Sequence, residues 1–392
     1  MNRRQFVAAT GASGLLTACS PATRRAAVPT PTAPQSEIPP LPPIRAELDR
    51  MFRITVCLRP FRAAGPRLEV EKVGDKVVVH NYGHGGSGWS LSWGSGAVAV
   101  EKAMAAGERN IAVIGCGAIG LTSAIMAQRA GAKVTIYAKE RPPDVRSVRA
   151  TGSWTPDSRI ALADTAPADF GPLWEKMART SWHMYGSYLG VAGNPVEWLD
   201  HYYLSDDGPD RRRAADPPVQ ALSFARYSER IADLRPGSHE LTRHPFPTKY
   251  ARRGANLTFN IAAYSRQLLN DFFVEGGRIE RREFQSPNDL QSLPEKVIIN
   301  APGYGARALW KDESVIPVRG QINWLIPQPE AHYGIFYRGV EILARRDGIV
   351  VQNGGIGMME GYNDTNETPD RAVAEESVGI VAELFQRMNT RA

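Results

Sequence analysis

Cysteine is scarce in this chain: Cys19, Cys57 and Cys116 are the whole complement in 392 residues. None stands in a C-x-x-C or similar ligand spacing, so no cysteine-built metal site is indicated and a disulfide framework has no material. Long apolar runs are missing too. The stretch Phe6 to Ala18 is too short to cross a bilayer as a permanent helix. Nor is charge of one sign in large excess. The net charge is +6, and without two arginines, Arg3 and Arg4, it would be about +4. That excess is spread along the chain, and Arg211-Arg212-Arg213 reads as a solvated loop. A nucleic-acid partner therefore has little support. There is no internal repeat.

The composition is otherwise ordinary for a globular protein, 43% hydrophobic and 22% charged. A chain this long buries a sizeable core, in two domains or one large two-part domain. Asn2-Arg3-Arg4-Gln5-Phe6-Val7 is a twin-arginine start, and Leu16-Thr17-Ala18-Cys19 resembles a bacterial lipobox. Residues 1–19 are thus expected to be an export signal for the bacterial twin-arginine route. The protein is expected in the periplasm or cell envelope, with membrane contact only through a lipid on Cys19. That route carries folded proteins, which suits one that loads a cofactor first. Residues 20–44, rich in Pro, Ala and Thr, read as an extended spacer. The body is expected over 45–392.

Two glycine loops stand close together near the start of that body. The first is His80-Asn81-Tyr82-Gly83-His84-Gly85-Gly86-Ser87-Gly88, followed by Trp89, Ser90 and Trp93. It follows a strand-like run ending at Val79 and leads to a helix expected over Ala97–Ala106. Such glycines let a backbone approach a flat ligand and aim N–H groups at it. The second loop is Gly115-Cys116-Gly117-Ala118-Ile119-Gly120. It sits between a short apolar strand, Asn110 to Ile114, and a helix, Leu121 to Ala130; a strand over Val134–Tyr137 follows. This βαβ setting is what makes a G-x-G-x-x-G credible as a nucleotide site. Further helices are expected over 172–189, 263–275 and 371–391. Strands are expected over 53–58, 297–300, 322–326 and 349–352.

The βαβ unit alone leaves FAD, NAD and NADP open. Glu140 could hold a ribose, whereas Lys139 or Arg141 could suit a 2′-phosphate. The first loop favours FAD. A flavin needs donors at its N1–C2=O edge, and Gly85, Gly86 and a following helix start could supply them.

At these residues the chain resembles the D-amino-acid oxidase family of FAD-dependent flavoenzymes. Val113 to Leu121 is similar to the family's N-terminal start, and Val145 to Trp154 to its second flavin-binding stretch. Asn300-Ala301-Pro302-Gly303, Arg319-Gly320-Gln321 and Leu58-Arg59-Pro60-Phe61-Arg62 also have counterparts there. In the family the Arg-Pro and His-Asn-Tyr segments come last. Here they come first, so the chain looks circularly permuted.

The resemblance implies an α/β (α+β) fold in permuted order. A Rossmann-like FAD-binding part would cover about 60–155 and 255–305. A mixed-sheet substrate part would cover about 156–254 and 306–365. It implies oxidative deamination of a D-amino acid: hydride passes from Cα to the flavin, dioxygen becomes peroxide, and the imino acid is hydrolysed. The alternatives are a flavin dehydrogenase of a small amine or amino acid using a non-oxygen acceptor, or an FAD-binding lipoprotein that has lost catalysis. The partners are then a small amino acid and dioxygen; the oligomeric state stays open. Arg59 would anchor the substrate carboxylate and the Gly86 carbonyl its amine. Of the family's two active-site tyrosines, alignment puts Phe336 and Val340 in place; Tyr337 or Tyr333 could substitute after a small shift, and Tyr337 is the one expected to act. Arg338 reads as a solvated loop charge that could alternatively meet an acidic substrate. The FAD contacts implied are Gly115, Gly117, Ala118, Ile119, Gly120, Lys139, Glu140, Arg146, Ser147, Gly152, Ser153 and Gly303, with Gly85, Gly86, Ser87, Gly88, Trp89 and Ser90. His80 and His84 lack carboxylate or cysteine partners nearby in sequence, so no metal is expected.

Overall fold

Short apolar runs without alternation belong in a sheet covered on both faces. A computed structural model of the chain describes residues 38–208, 222–354 and 357–389. The expected export signal with Cys19, and the triple-arginine segment, lie outside the described residues. In chain order come β1 (Met51–Phe61), β2 (Val70–Val73), β3 (Lys76–His80), α1 (Gly88–Met104), β4 (Asn110–Ile114), α2 (Ala118–Arg129) and β5 (Lys133–Ala138). Then follow α3 (Phe170–Gly186), β6 (Val196–Ser205), β7 (His239–Glu240), β8 (Tyr250–Phe259), α4 (Ile261–Val274), β9 (Arg278–Arg281) and β10 (Val297–Asn300). Last are α5 (Ala306–Leu309), β11 (Ile316–Leu325), β12 (Tyr333–Tyr337), β13 (Val340–Arg345), β14 (Gly348–Asn353) and α6 (Arg371–Asn389).

The smaller sheet has the order β2-β3-β10-β4-β5-β9. Only β2 runs antiparallel; β3, β10, β4, β5 and β9 are parallel neighbours. All four residues of β10 are buried. One face is covered by α1, α2 and α4 in the main core, which holds Leu91, Trp93, Leu121, Ile125 and Leu268. β3 therefore lies in the same sheet as β4, and residues 50–94 border the Gly115 loop.

The larger sheet has the order β1-β11-β14-β13-β12-β6-β8-β7, with β12 and β6 its one parallel pair. One face packs beneath α6, with Ile335, Ile342, Val351, Val378, Leu384 and Phe385 in a shared cluster. The mixed α/β architecture expected from the sequence is what the chain forms.

Several boundaries differ from expectation: β1 covers Met51–Phe61, not 53–58, and β11 covers Ile316–Leu325, not 322–326. The first helix starts at Gly88, not near Ala97. Gly94 and Gly96 lie inside it because neighbours come close: a Cβ on Gly94 would collide with the Met177 carbonyl of α3. The spacer, expected to run to residue 44, gives way to packed chain from Ile38. Ile44 is buried, Tyr333 donates to the Pro42 carbonyl at 2.5 Å, and Gln328 Nε2 donates to the Pro43 carbonyl at 2.8 Å.

Candidate active site

Parallel strands end together, and their carboxyl ends open a crevice for ligands. Here β3, β10, β4 and β5 open on a cavity of about 2100 Å³, roughly twice an ordinary ligand pocket. Its walls include Asn81–Gly86, Gly88–Ser90, Ile114–Ile119, Ala138–Glu140 and Ala301–Gly305. Two helices start on it. Neither Ser87 before α1 nor Gly117 before α2 makes a side-chain cap; Ser147 Oγ takes the Ala118 N–H of α2, and the other first-turn N–H groups of the two helices are left for a ligand.

The glycines in these loops have specific causes. Gly115 has φ +99°, and a Cβ there would collide with the Ala301 carbonyl at the end of β10. A Cβ on Gly120 would strike the Gly115 carbonyl, so this third glycine lets helix and strand close up. Gly85 has φ +56° and would collide with the Arg159 carbonyl; a Cβ on Gly86 would lie 2.6 Å from Ser158 Oγ.

The segment 146–159 closes the site from the other side. Ala118 N donates to Ser147 Oγ at 3.1 Å, and Trp89 Nε1 to the Ser147 carbonyl at 2.7 Å. Thr155 N donates to Ser90 Oγ at 2.8 Å, and Ser87 Oγ to the Ser158 carbonyl at 3.0 Å. Lys139 pairs with Glu283 at 2.9 Å, and Arg146 with Glu367 at 2.5 Å. Gly152 and Ser153 lie against β8, where Phe259 N donates to the Gly152 carbonyl at 2.7 Å.

Arg59 lies on β1 opposite the Arg-Gly-Gln strand β11. Its Nη1 donates to the Arg319 carbonyl at 3.0 Å. A Cβ on Gly320 would overlap its guanidinium, so that glycine makes the berth. Burial pulls the Arg59 pKa down, partly offset by Cys57 and Glu360. The Cys57 thiol is itself pushed up by burial, and Cys116 up to about 12, so neither is a ready nucleophile.

Most residues singled out in the sequence thus meet at one cavity. Arg59, Gly85, Gly86, Gly88, Trp89, Ser90, Gly115, Gly117, Ala118, Ile119, Lys139, Glu140, Arg146, Ser147, Gly152, Ser153 and Gly303 all line it. Ser87 and Gly120 stand behind that lining. Tyr337 lines the cavity too, with its hydroxyl already engaged. Its ring is buried under α6, its hydroxyl donates to Asp206 at 2.8 Å, and Arg387 donates to it at 2.9 Å. Strand alternation turns Phe336, not Tyr337, outward. Arg338 is held by Asp206 at 2.9 Å and Glu383 at 3.0 Å, more tied than the free loop charge expected.

Sequence reasoning missed Arg159, Tyr203, Glu341 and Gln352, which also line the cavity. The last three lie on β6, β13 and β14, and their shared face needed the strand register to be known. Among the described residues no group of three or more His, Cys, Asp or Glu is placed to hold a metal. His80 instead bonds Glu71 and Asn300.

The sequence pattern of the FAD dependent oxidoreductase family (DAO) matches residues 110–391. The chain belongs to this family. It is 28% identical over 234 residues to a D-amino-acid oxidase of Streptomyces coelicolor, covering 56% of this chain and 62% of that one. It is 30% identical over 215 residues to a D-amino-acid oxidase of Rubrobacter xylanophilus, covering 54% and 57%. The chain thus spans less than two thirds of those relatives. Among solved structures it is similar to an L-amino acid deaminase of Proteus vulgaris (TM-score 0.48, 14% identity, 71% of this chain and 74% of that one). It is also similar to a glycine oxidase of Geobacillus kaustophilus (TM-score 0.47, 11% identity, 72% and 80%).

Family membership implies FAD, and the cavity fits it. Two helix starts face one space. Gly88 and Gly303 line that space, and a Cβ on either would meet no protein atom. A dinucleotide needs such donors at its pyrophosphate and room for its flat ring.

Proposed function

We propose that this FAD-dependent oxidoreductase is an oxidase that deaminates a D-amino acid. The observation that carries the reading is Arg59, berthed on Gly320 next to the Gly85–Gly86 loop and the open start of α1. A guanidinium fork binds a carboxylate through two parallel N–H···O bonds. The Gly86 carbonyl would receive the substrate amine from the adjacent loop. Together they hold Cα in one orientation, which is the chief contribution a protein makes to such chemistry. FAD, when bound, would supply the two-electron acceptor. Gly115, Gly117, Ala118, Ile119 and Ser147 would hold its pyrophosphate, with Gly120 keeping helix and strand close. Arg146, Gly152, Ser153 and Gly303 would flank it, and Lys139 and Glu140 would lie at its ribose end. Gly85, Gly88, Trp89 and Ser90 would border the flavin, with Ser87 fixing their loop. No acid–base side chain is required at Cα: the amine reacts in its neutral form, and water hydrolyses the imino acid to a 2-oxo acid and ammonia.

Similarity to the two bacterial D-amino-acid oxidases supports the D configuration. The same reading covers chain order: residues 38–109 would be the family's C-terminal part, placed ahead of β4. The family match beginning at Asn110, the first residue of β4, supports this, as does β3 beside β10. Twin-arginine export and a lipid on Cys19 belong to the proposal as well. A panel of D-amino acids in air tests the oxidase assignment. It predicts 2-oxo acid and peroxide in equal amounts. Turnover that needs an added electron acceptor and forms no peroxide would contradict it.

A further inference from the structure

A substrate with one carboxylate would satisfy only one of the two guanidiniums set into this end of the cavity. We propose that Arg159 binds a second carboxylate, so that the substrate is an amino acid with an acidic side chain. The proposal rests on the assignment of Arg59 to the α-carboxylate.

Arg159 is unusual in its backbone and in its pairing. Its φ is +51°, a conformation that costs a non-glycine residue energy and persists only where the surroundings enforce it. The enforcement is visible: its carbonyl presses on Gly85, and Gly86 N donates to the preceding Ser158 carbonyl at 3.0 Å. The guanidinium is fixed as well. Nε donates to the Met358 carbonyl and Nη2 to the Gly357 carbonyl, each at 2.8 Å. Of its five N–H groups these bonds use two, and Nη1 has no partner among the described residues.

The charges around it are lopsided. Arg159 lines the cavity with Arg59, and neither has a carboxylate within ion-pair distance among the described residues. Burial, and then the charge of Arg59, pull the Arg159 pKa down to about 9; Glu360 is the one acid that opposes this for either arginine apart from the Cys57 thiol. Half-buried cations that repel each other are stabilised when an anion arrives. A dicarboxylate would neutralise both at once.

Several other cations of the cavity have partners. Arg338 holds Asp206 and Glu383, Arg146 holds Glu367, and Arg252 lies 4.6 Å over the Tyr203 ring. Arg159 joins a rigid mounting to an Nη1 without a partner among the described residues, in the loop that meets Gly85 and Gly86. A prepositioned guanidinium is what selective anion binding needs, because little freedom is lost on binding.

Calorimetry on the FAD-loaded protein tests this with two unreactive probes of equal chain length, glutarate and valerate. Glutarate should bind about 10- to 100-fold tighter, the gain expected for a charge-assisted hydrogen-bonded pair. Arg159→Asn tolerates the left-handed backbone best and should bring the glutarate-to-valerate ratio close to one; Arg159→Lys should keep part of it. Equal binding of the probes by the wild-type protein would overturn the proposal, and that result needs no variant. So would a ratio that survives Arg159→Asn. If the ratio is as expected but no D-amino acid reduces the flavin, the activity assignment fails and the second anion site stands.

Discussion

Arg59 and Gly320 act as one device. Replacing Arg59 with Ala should raise KM for any carboxylate substrate roughly 100-fold, the loss of a charged, two-pronged hydrogen bond. Gly320→Ala should do much the same without touching the arginine, because its Cβ takes the guanidinium's place. Wild-type KM in the Gly320→Ala variant would show that the berth is not needed. His84 gives a pH prediction. Ser95 donates to Asn81, so the His84 Nε2–H donates to Ser95 Oγ at 2.7 Å, and the ring is neutral. Burial lowers its pKa from 6.5 to about 3. Between those values the unfolded chain binds a proton that the folded one refuses. Stability is therefore full above pH 6.5 and falls as the pH drops toward 3, by roughly 1.4 kcal/mol per pH unit. Denaturant melts across that range should show the slope, and His84→Gln should flatten it. At this scale Arg59 was readable, because its Arg-Pro setting is distinctive. The tie of the Tyr337 hydroxyl to Asp206 was not, because it depends on β12 pairing with β6, far away in sequence.

The elements most legible in the sequence were those that hold their own signal. The strand over Asn110–Ile114 and the strand over Val297–Asn300 have the expected bounds, since short apolar runs bordered by glycine or proline mean buried strands. β8 was invisible. Arg252, Arg253, Gly254 and Asn256 are poor strand formers, yet ten residue pairs with β6 hold them in the ladder. The early start of α1 was hidden for the opposite reason. Gly94 reads as a break, but it is a contact point between helices. Gly94→Ala should therefore destabilise the protein by about 2 kcal/mol or more, although alanine is the better helix former. A melting temperature unchanged or raised by Gly94→Ala would refute the close-packing explanation.

For the whole molecule, the sequence disclosed two glycine loops facing one ligand, and the structure shows one sheet carrying both. What sequence alone left open was which side chains of the larger sheet complete the cavity, since that depends on pairings between distant strands. Chain order gives a test at this scale. Ile38 and Met388 contribute to the same apolar cluster, so the two ends of the described chain meet on one core. A rearranged gene that starts at Asn110 and carries residues 38–109 after Asn389, through a short Gly/Ser linker, should yield a folded yellow protein. A rearranged protein that is insoluble or colourless would count against the permutation.

The central claim is a flavin oxidase site built around Arg59 for a D-amino acid. It is tested most directly by mixing the purified protein with one enantiomer at a time, without air, and following the visible flavin absorbance. The account predicts bleaching by D-amino acids, most readily by D-glutamate or D-aspartate, slow bleaching in Arg59→Ala, and none by the L forms. A flavin that stays yellow with every D-amino acid, or bleaches equally with both enantiomers, would contradict it.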